Sequence, residues 1–379
     1  MHTYNFSGST SMKTPPDKKY DALALFSGGL DSILAARLVQ NQGLRVLGLH
    51  FISPFFGHPD KLEEWEHNYG IPLMSVDISS EFVHMLCKGP EHGLGKILNP
   101  CVDCKILMLN TARTLLCDFG AAFIISGEVL GQRPMSQRLD TLNIIKRDAG
   151  VKNILVRALS ARRLPPTDPE KSGLLDREKL GTMSGRGRKE QNKLAREFNI
   201  HPIPTPAGGC LLTEKESAKR YLPLLTYKQK PEPADFLLAN TGRQFWLGNH
   251  WLCIGRNKED NDRLEELAEQ SDYLFKLTFF PGPVALGRPV KNQDWSPEIL
   301  ESACELVSRF SPKARKSSRE IDVIIRRGET LQEILVWPGE TEQPTLWQEP
   351  VWDKELVKTF HAAAEDNPRA RVKSNDSNS

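Results

Sequence analysis

The hexapeptide Ser27-Gly28-Gly29-Leu30-Asp31-Ser32 constrains this chain more than any other feature. It stands between an apolar run, Ala22 to Phe26, and an amphipathic segment, Ile33 to Val39. That pattern predicts a strand, a glycine-rich turn and a helix. In such a unit the backbone N–H groups of the turn and the positive end of the helix dipole converge on one point, which suits a phosphate. Gly28 and Gly29 let the main chain approach the anion closely, and the hydroxyls of Ser27 and Ser32 can donate to its oxygens. The lysine of a Walker loop is missing, so that type of phosphate loop is excluded.

At 379 residues the chain exceeds one typical core, and two domains are expected. A formal net charge of +2 does not by itself indicate nucleic acid. The distribution says more, with basic clusters between Arg157 and Lys189 and again at Lys313, Arg315, Lys316 and Arg319. No stretch approaches the roughly twenty consecutive apolar residues of a membrane span. Residues 1–19 lack an apolar core and are expected as a disordered lead-in, not a signal peptide. Seven irregularly spaced cysteines argue against a disulfide framework and for a reducing cytoplasm.

The first part alternates strands and helices. Strands are expected at Arg45 to Phe51, Leu73 to Asp77 and Ala121 to Ser126, with helices around Lys61 to Asn68 and Lys105 to Asp118. Successive βα units imply a parallel sheet covered on both faces, an α/β domain whose ligands bind beyond the carboxyl ends of the strands, near Ser27, His50 and Gly127. A basic helix is expected from Ser184 to Phe198. Proline-rich sequence after Tyr227 marks a boundary between residues 20–227 and a smaller α+β module, 228–365. In that module a hairpin turned at Gly248-Asn249, helices at Asn261 to Gln270 and Ser296 to Phe310, and strands at Ile321 to Ile325 and Glu333 to Val336 are expected. The polar tail, 366–379, is expected to be disordered.

Cys101-Val102-Asp103-Cys104 follows Asn99-Pro100 and is expected to precede a helix, while Cys210 closes a second glycine-rich loop after Pro206. Two thiolates at that spacing can reach one metal centre, and a distant third can complete a face of it. Three are one short of a closed zinc site but leave one iron of a [4Fe-4S] cube open to an exogenous sulfide. A redox pair, one cysteine carrying a persulfide that another resolves, is the alternative. Cys87, Cys117, Cys253 and Cys304 are expected as small core residues.

These strings carry a resemblance. Ser27 to Ser32 resembles the SGGxDS loop of the ATP pyrophosphatases. Together with Gly127-Glu128-Val129-Leu130-Gly131-Gln132, Ser136-Gln137 and Val156-Arg157-Ala158-Leu159, it looks like the catalytic domain of the tRNA 4-thiouridine synthetases. Asn99 to Cys104 is similar to the cysteine loop of the tRNA 2-thiouridine enzymes, and Cys101, Cys104 and Cys210 resemble the cluster ligands of the iron-sulfur members of both groups. Only about twenty residues precede the first strand, so RNA recognition is expected from the C-terminal part. There Gly242 to Phe245, Ile254 to Asn257 with Asn261-Asp262, Pro281 to Pro283 and Phe310 to Arg315 resemble the RNA-binding module of the NFACT family.

The resemblance implies a PP-loop domain that adenylates a uracil carbonyl oxygen with ATP and then replaces it with sulfur. Ser27, Gly28, Gly29, Leu30, Asp31 and Ser32 would bind ATP, with Asp31 acting through Mg²⁺. Gly127, Gln132, Arg133 and Ser136 would orient ATP or the base, and His50 and Phe51 would flank the adenine. Cys104 and Cys210 would carry the sulfur, with Cys101, Cys104 and Cys210 as ligands of a [4Fe-4S] cluster. The implied partners are tRNA and a sulfur donor, free sulfide or a cysteine desulfurase, with a homodimer as an admissible assembly and no membrane. Which carbonyl is thiolated stays open. A small-metabolite ATP pyrophosphatase and a non-catalytic RNA-binding adaptor are the competing functions.

Overall fold

The computed structural model describes residues 19–133, 136–205, 209–290, 293–338 and 345–365. Of the expected disordered ends, 1–19 and 366–379, all but Lys19 lie outside the described residues. In the N-terminal part, β1 (Ala22–Leu25), β2 (Val46–Ile52), β3 (Leu73–Asp77), β4 (Phe123–Ile125) and β5 (Leu155–Val156) form one sheet in the order β3-β2-β1-β4-β5. Every pairing in it is parallel. The helices are α1 (Leu30–Gln40), α2 (Leu62–Tyr69), α3 (Ser79–Lys88), α4 (Cys101–Phe119), α5 (Leu139–Asp148), α6 (Asp168–Lys171), α7 (Lys189–Glu197), α8 (Lys215–Ala218) and α9 (Tyr221–Tyr227), and α10 (Pro233–Asn240) follows the expected boundary.

Successive strand residues face opposite sides of a sheet, so β1 feeds two cores. Ala22 and Ala24 pack with α1 residues such as Ile33 and Leu34, whereas Leu23 and Leu25 pack with Leu109 and Ala112 of α4. Small residues on one face and large ones on the other let α1 sit close to the strand that leads into the glycine loop.

The second sheet is antiparallel. It comprises β6 (Arg243–Leu247), β7 (His250–Ile254), β8 (Tyr273–Leu277), β9 (Ala285–Pro289), β10 (Ile321–Arg327) and β11 (Thr330–Val336), in the order β11-β10-β8-β9-β7-β6. Around it lie α11 (Lys258–Leu267), α12 (Pro297–Arg309), α13 (Pro312–Arg315) and α14 (Lys354–Glu365). The fold is thus a parallel α/β domain followed by a smaller α+β module, as the sequence predicts.

The two parts share packing. Phe236 of α10 lies 4.9 Å from Phe55 between ring centroids, and Phe55 also meets Phe82 and Tyr221. On its other side α10 offers Asp235 to the buried Arg288 of β9 at 3.1 Å. Further along the chain, His361 of α14 places Nε2 2.7 Å from the Ile97 carbonyl oxygen, just before α4.

Three helix boundaries differ from expectation. α4 begins at Cys101 with Pro100 at its N-cap, so the cysteine pair lies on the first helical turn instead of in a preceding loop. α7 is shorter than the expected 184–198, because Gly185 at φ +79° turns the chain first. α11 starts three residues early because the Asn257 side chain accepts from Asp260 N and caps it.

Candidate active site

The Ser27–Ser32 loop leaves β1 and enters α1 as the sequence demands. Gly29 is the N-cap of α1 and contributes no side-chain cap, so no side-chain acceptor competes for the amides of the first turn. Ser32 Oγ donates to Gly29 O at 2.7 Å and lies 3.4 Å from Ser27 Oγ, which brings the two hydroxyls to one place. Gly28 has φ +75°, and a Cβ there would fall 2.5 Å from the Trp65 ring. Leu30, the first residue of α1, is buried among apolar residues.

Asp31 is the loop's acid. Its Oδ2 accepts from Gln132 Nε2 at 3.2 Å, and its Oδ1 is buried with no hydrogen-bond partner. An uncompensated carboxylate oxygen is costly when buried, and it matches the hard oxygen donor that a magnesium ion takes. Gln132 thus reaches the loop across the sheet. Gly127 acts differently from its neighbours, since a Cβ there would stand 2.5 Å from Asp31 O and 2.7 Å from Ser32 N. The turn after β4 therefore presses its bare backbone against the loop.

Beside that turn is a buried ion pair that sequence pattern does not single out. Glu128 Oε2 accepts from Arg157 Nε and from Ser126 Oγ, both at 3.0 Å, and Arg157 Nη2 donates to Leu142 O at 3.1 Å. Burial opposes ionisation of Glu128, but the Arg157 charge, with Lys105 and the hydrogen bonds, outweighs it and holds the carboxyl below its ordinary pKa. The one sequence signal for the pair is that both residues stand in the strings that carry the family resemblance.

His50 and Phe51 lie at the end of β2. His50 is buried, with Nδ1 3.0 Å from Phe26 O and Nε2 accepting from His58 N at 2.8 Å. Those partners place the ring proton on Nδ1, and burial lowers the imidazole pKa. Phe51 is buried in the core on the α4 side. Trp65 covers this corner with ring centroids 5.2 Å from His50 and 5.8 Å from Phe26.

The structure brings the three selected cysteines into one neighbourhood. Leu98 N donates to Leu212 O at 3.2 Å, which ties the segment before α4 to the turn after Cys210. Asn99 Nδ2 donates to Cys101 Sγ at 3.0 Å. Burial pushes the Cys104 thiol up to about 12, where Lys105 lowers it and Cys210 and Cys101 raise it. Cys210 is pushed to about 11, again mainly by burial, with Cys101 adding to the shift. Asp103, between the two α4 cysteines, points elsewhere and binds His92, whose other ring nitrogen lies 3.0 Å from Asp148. Among the described residues no group of three or more His, Cys, Asp or Glu side chains is arranged to hold a single metal ion. A cluster is a different fit, because each thiolate ligates its own iron. Of the remaining cysteines Cys253 and Cys304 are buried as expected, but Cys87 and Cys117 are exposed. Both sit on helices, α3 and α4, whose outer faces turn to solvent.

A strand–SGGxDS–helix unit at the carboxyl edge of a parallel sheet defines a PP-loop domain, and comparison with known proteins agrees. Residues 18–161 match the sequence model of the thiamine biosynthesis protein (ThiI) family, and residues 242–348 that of the NFACT protein RNA-binding domain. The chain thus carries a PP-loop α/β domain similar to that of the ThiI family, followed by a module similar to the NFACT RNA-binding domain.

A probable tRNA sulfurtransferase of Thermococcus kodakarensis is 30% identical over 33% of this chain and 33% of its own length. A tRNA sulfurtransferase of Desulfurococcus amylolyticus is 30% identical over 36% of this chain and 29% of its own. The tRNA-specific 2-thiouridylase MnmA of Nitratidesulfovibrio vulgaris is 33% identical over 29% of this chain and 35% of its own. The shared region thus spans about a third of these relatives. Among the described residues no helix is long and apolar enough to cross a membrane.

Proposed function

We propose that this chain is an ATP-dependent tRNA sulfurtransferase that adenylates a uracil carbonyl oxygen and replaces it with sulfur. One juxtaposition carries the reading. The turn after β4 presses Gly127 against the loop backbone, and the next residue, Glu128, feels the charge of Lys105, which also acts on Cys104. The residue after that turn thus lies within electrostatic reach of the start of α4, which carries Cys101 and Cys104.

In this reading Ser27, Ser32 and the first-turn amides of α1 hold the pyrophosphate portion of ATP, the developing charge being stabilised by fixed donors. Asp31 would hold magnesium through its unpartnered Oδ1, and Gln132 keeps that carboxylate aimed. The uracil oxygen attacks the α-phosphorus, pyrophosphate leaves, and the base carries adenylate. Sulfur then bonds to the same carbon and AMP leaves with the oxygen. Cys101, Cys104 and Cys210 would hold a [4Fe-4S] cluster, which when bound presents an inorganic sulfide. Without one, Cys104 or Cys210 would carry a persulfide that the other resolves as a disulfide, to be reduced by an external thiol. The half-buried position of Cys104 and Cys210 suits either role because it keeps water from the sulfur, and either role begins with loss of the thiol proton. Free sulfide would be the donor for the cluster route and a cysteine desulfurase, which hands over sulfur already at the persulfide level, for the thiol route, and the C-terminal module would bring the tRNA.

Asp31→Ala tests the assignment through tRNA-dependent pyrophosphate release. A loss of about a hundredfold or more is expected for a group that stabilises transition-state charge, and an unchanged rate would sink the reading.

A further inference from the structure

A second concavity lies apart from the loop and the thiols. It is a cavity of about 170 Å³ between the later turns of α5, the segment entering β5 and the loop 164–171. Lys146, Lys152, Arg157 and Lys171 line it, together with Asn143 and Asn153. Glu170, the acid in the lining, is already engaged, accepting from Thr167 Oγ1 at 2.6 Å and pairing with Arg177. Lys171 reaches Asp168 at 3.4 Å, and Arg157 is committed to Glu128 and Leu142 O. Among the described residues Lys146 and Lys152 have no carboxylate within ion-pair distance. What they face instead is like charge: the Lys146 pKa is lowered by burial and then by Arg157 and Lys152.

Cations gathered around a concavity repel one another more strongly than on an open surface, because partial desolvation weakens the screening. An anion reverses the sign of every one of those interactions. One water occupies about 30 Å³, so the cavity holds a tetrahedral oxyanion together with bridging waters. Lys152 and Asn153 are exposed at its rim, which lets a phosphate enter while the sugar and base to which it is bonded stay outside.

We propose that this cavity is a phosphate-binding subsite that takes one backbone phosphate of the RNA substrate, with Lys146 and Lys152 as its primary donors. The assignment of the phosphate to RNA rests on the function proposed above. Arg157 gives the subsite a connection to the chemistry. Arg157 is part of the cavity wall, and its guanidinium holds Glu128, the residue that follows Gly127 on the turn against the phosphate loop. Seating the RNA backbone there would bear on the same turn that aligns the loop.

The test is lysine footprinting of the full chain with an N-hydroxysuccinimide ester, read by mass spectrometry, in buffer, with tRNA and with inorganic pyrophosphate. Protection of Lys146 and Lys152 by tRNA but not by pyrophosphate is the expected result. The double variant Lys146→Ala/Lys152→Ala should then bind tRNA with a salt slope shallower by about 1. Its melting temperature without RNA should not fall, since the substitutions remove mutual repulsion; a clear fall would assign the lysines a structural role and overturn the subsite. Protection by pyrophosphate alone would assign the cavity to a free anion and overturn its assignment to RNA. No protection while tRNA binds normally by fluorescence anisotropy would overturn the subsite and leave the proposed function standing. Absence of any tRNA binding would overturn the proposed function, and the pyrophosphate arm would then decide whether the cavity takes phosphate at all.

Discussion

The phosphate loop and the cysteine pocket perform their parts by opposite physical means. The loop is built from backbone: an uncapped helix start, two hydroxyls and a glycine whose φ of +75° fits it beneath Trp65. Its chemistry is local, so six consecutive residues specify it. The pocket is built from burial: Cys104 and Cys210 come from distant segments, pack against apolar neighbours and are held as neutral thiols with pKa values of about 12 and 11. A charged ligand is favoured at the loop and charge is disfavoured at the pocket. A two-step exchange needs that contrast, with anion activation on one side and a sulfur shielded from water on the other.

The buried Glu128–Arg157 pair beside the turn after β4 is the most sensitive point. Glu128→Gln would leave the Arg157 guanidinium buried without its counter-charge, a change expected to cost about 3–5 kcal/mol in thermal or denaturant unfolding. Its pH dependence has a definite sign. Glu128 titrates below its ordinary 4.5 when folded, so its contribution is complete above that pH. It is lost as pH falls through the lowered folded value. Wild type should therefore lose stability on acidification below about pH 4.5 more steeply than Glu128→Gln.

Gly127→Ala strikes the loop alone. Its Cβ would displace the backbone of Asp31 and Ser32, and a misplacement of about 1 Å is expected to reduce pyrophosphate release by roughly a hundredfold. Comparable rates in the two proteins would mean that the turn does not align the loop. A milder probe sharpens the other side of the contrast: timed alkylation with iodoacetamide should modify the exposed Cys117 first, Cys87 more slowly because burial pushes its thiol up to about 11, and the buried Cys253 and Cys304 last. Cys104 reacting as fast as Cys117 would contradict a shielded pocket. The smallest effect is expected from Lys313→Ala with Lys316→Ala in the C-terminal module, which should weaken tRNA binding and reduce its salt slope by about 1 for each phosphate no longer neutralised. Point variants suit this better than truncation, because α10 and α14 pack back onto the first domain.

Features set by short-range rules were legible in the sequence. The strand–loop–helix unit, the strand Leu73–Asp77 and the hairpin turned at Gly248-Asn249 follow from glycine placement and apolar alternation. What escaped depended on packing between distant segments. Cys101 starts α4 because Pro100 serves as its N-cap, a geometry that the apolar pattern after Lys105 does not announce. The Glu128–Arg157 pair is invisible to pattern because both residues look like surface charges until the fold buries them. Cys87 and Cys117 beside apolar runs read as core, yet each falls on the solvent side of its helix. The cavity around Lys146 and Lys152 unites segments before and after β5, and its basic residues, taken singly, resemble an ordinary solvated face.

The division of labour across the turn is the central claim, and one reaction series tests it most directly. tRNA is incubated with ATP, magnesium, wild-type or Cys104→Ser protein prepared anaerobically, and either sulfide or a cysteine desulfurase with cysteine as the sulfur source. Thionucleosides are measured by mass spectrometry and pyrophosphate is counted in the same samples. The account predicts thiouridine and pyrophosphate from the wild type, and pyrophosphate without thiouridine from Cys104→Ser. Thiouridine formed at the wild-type rate by Cys104→Ser, or none formed by the wild type, would contradict it.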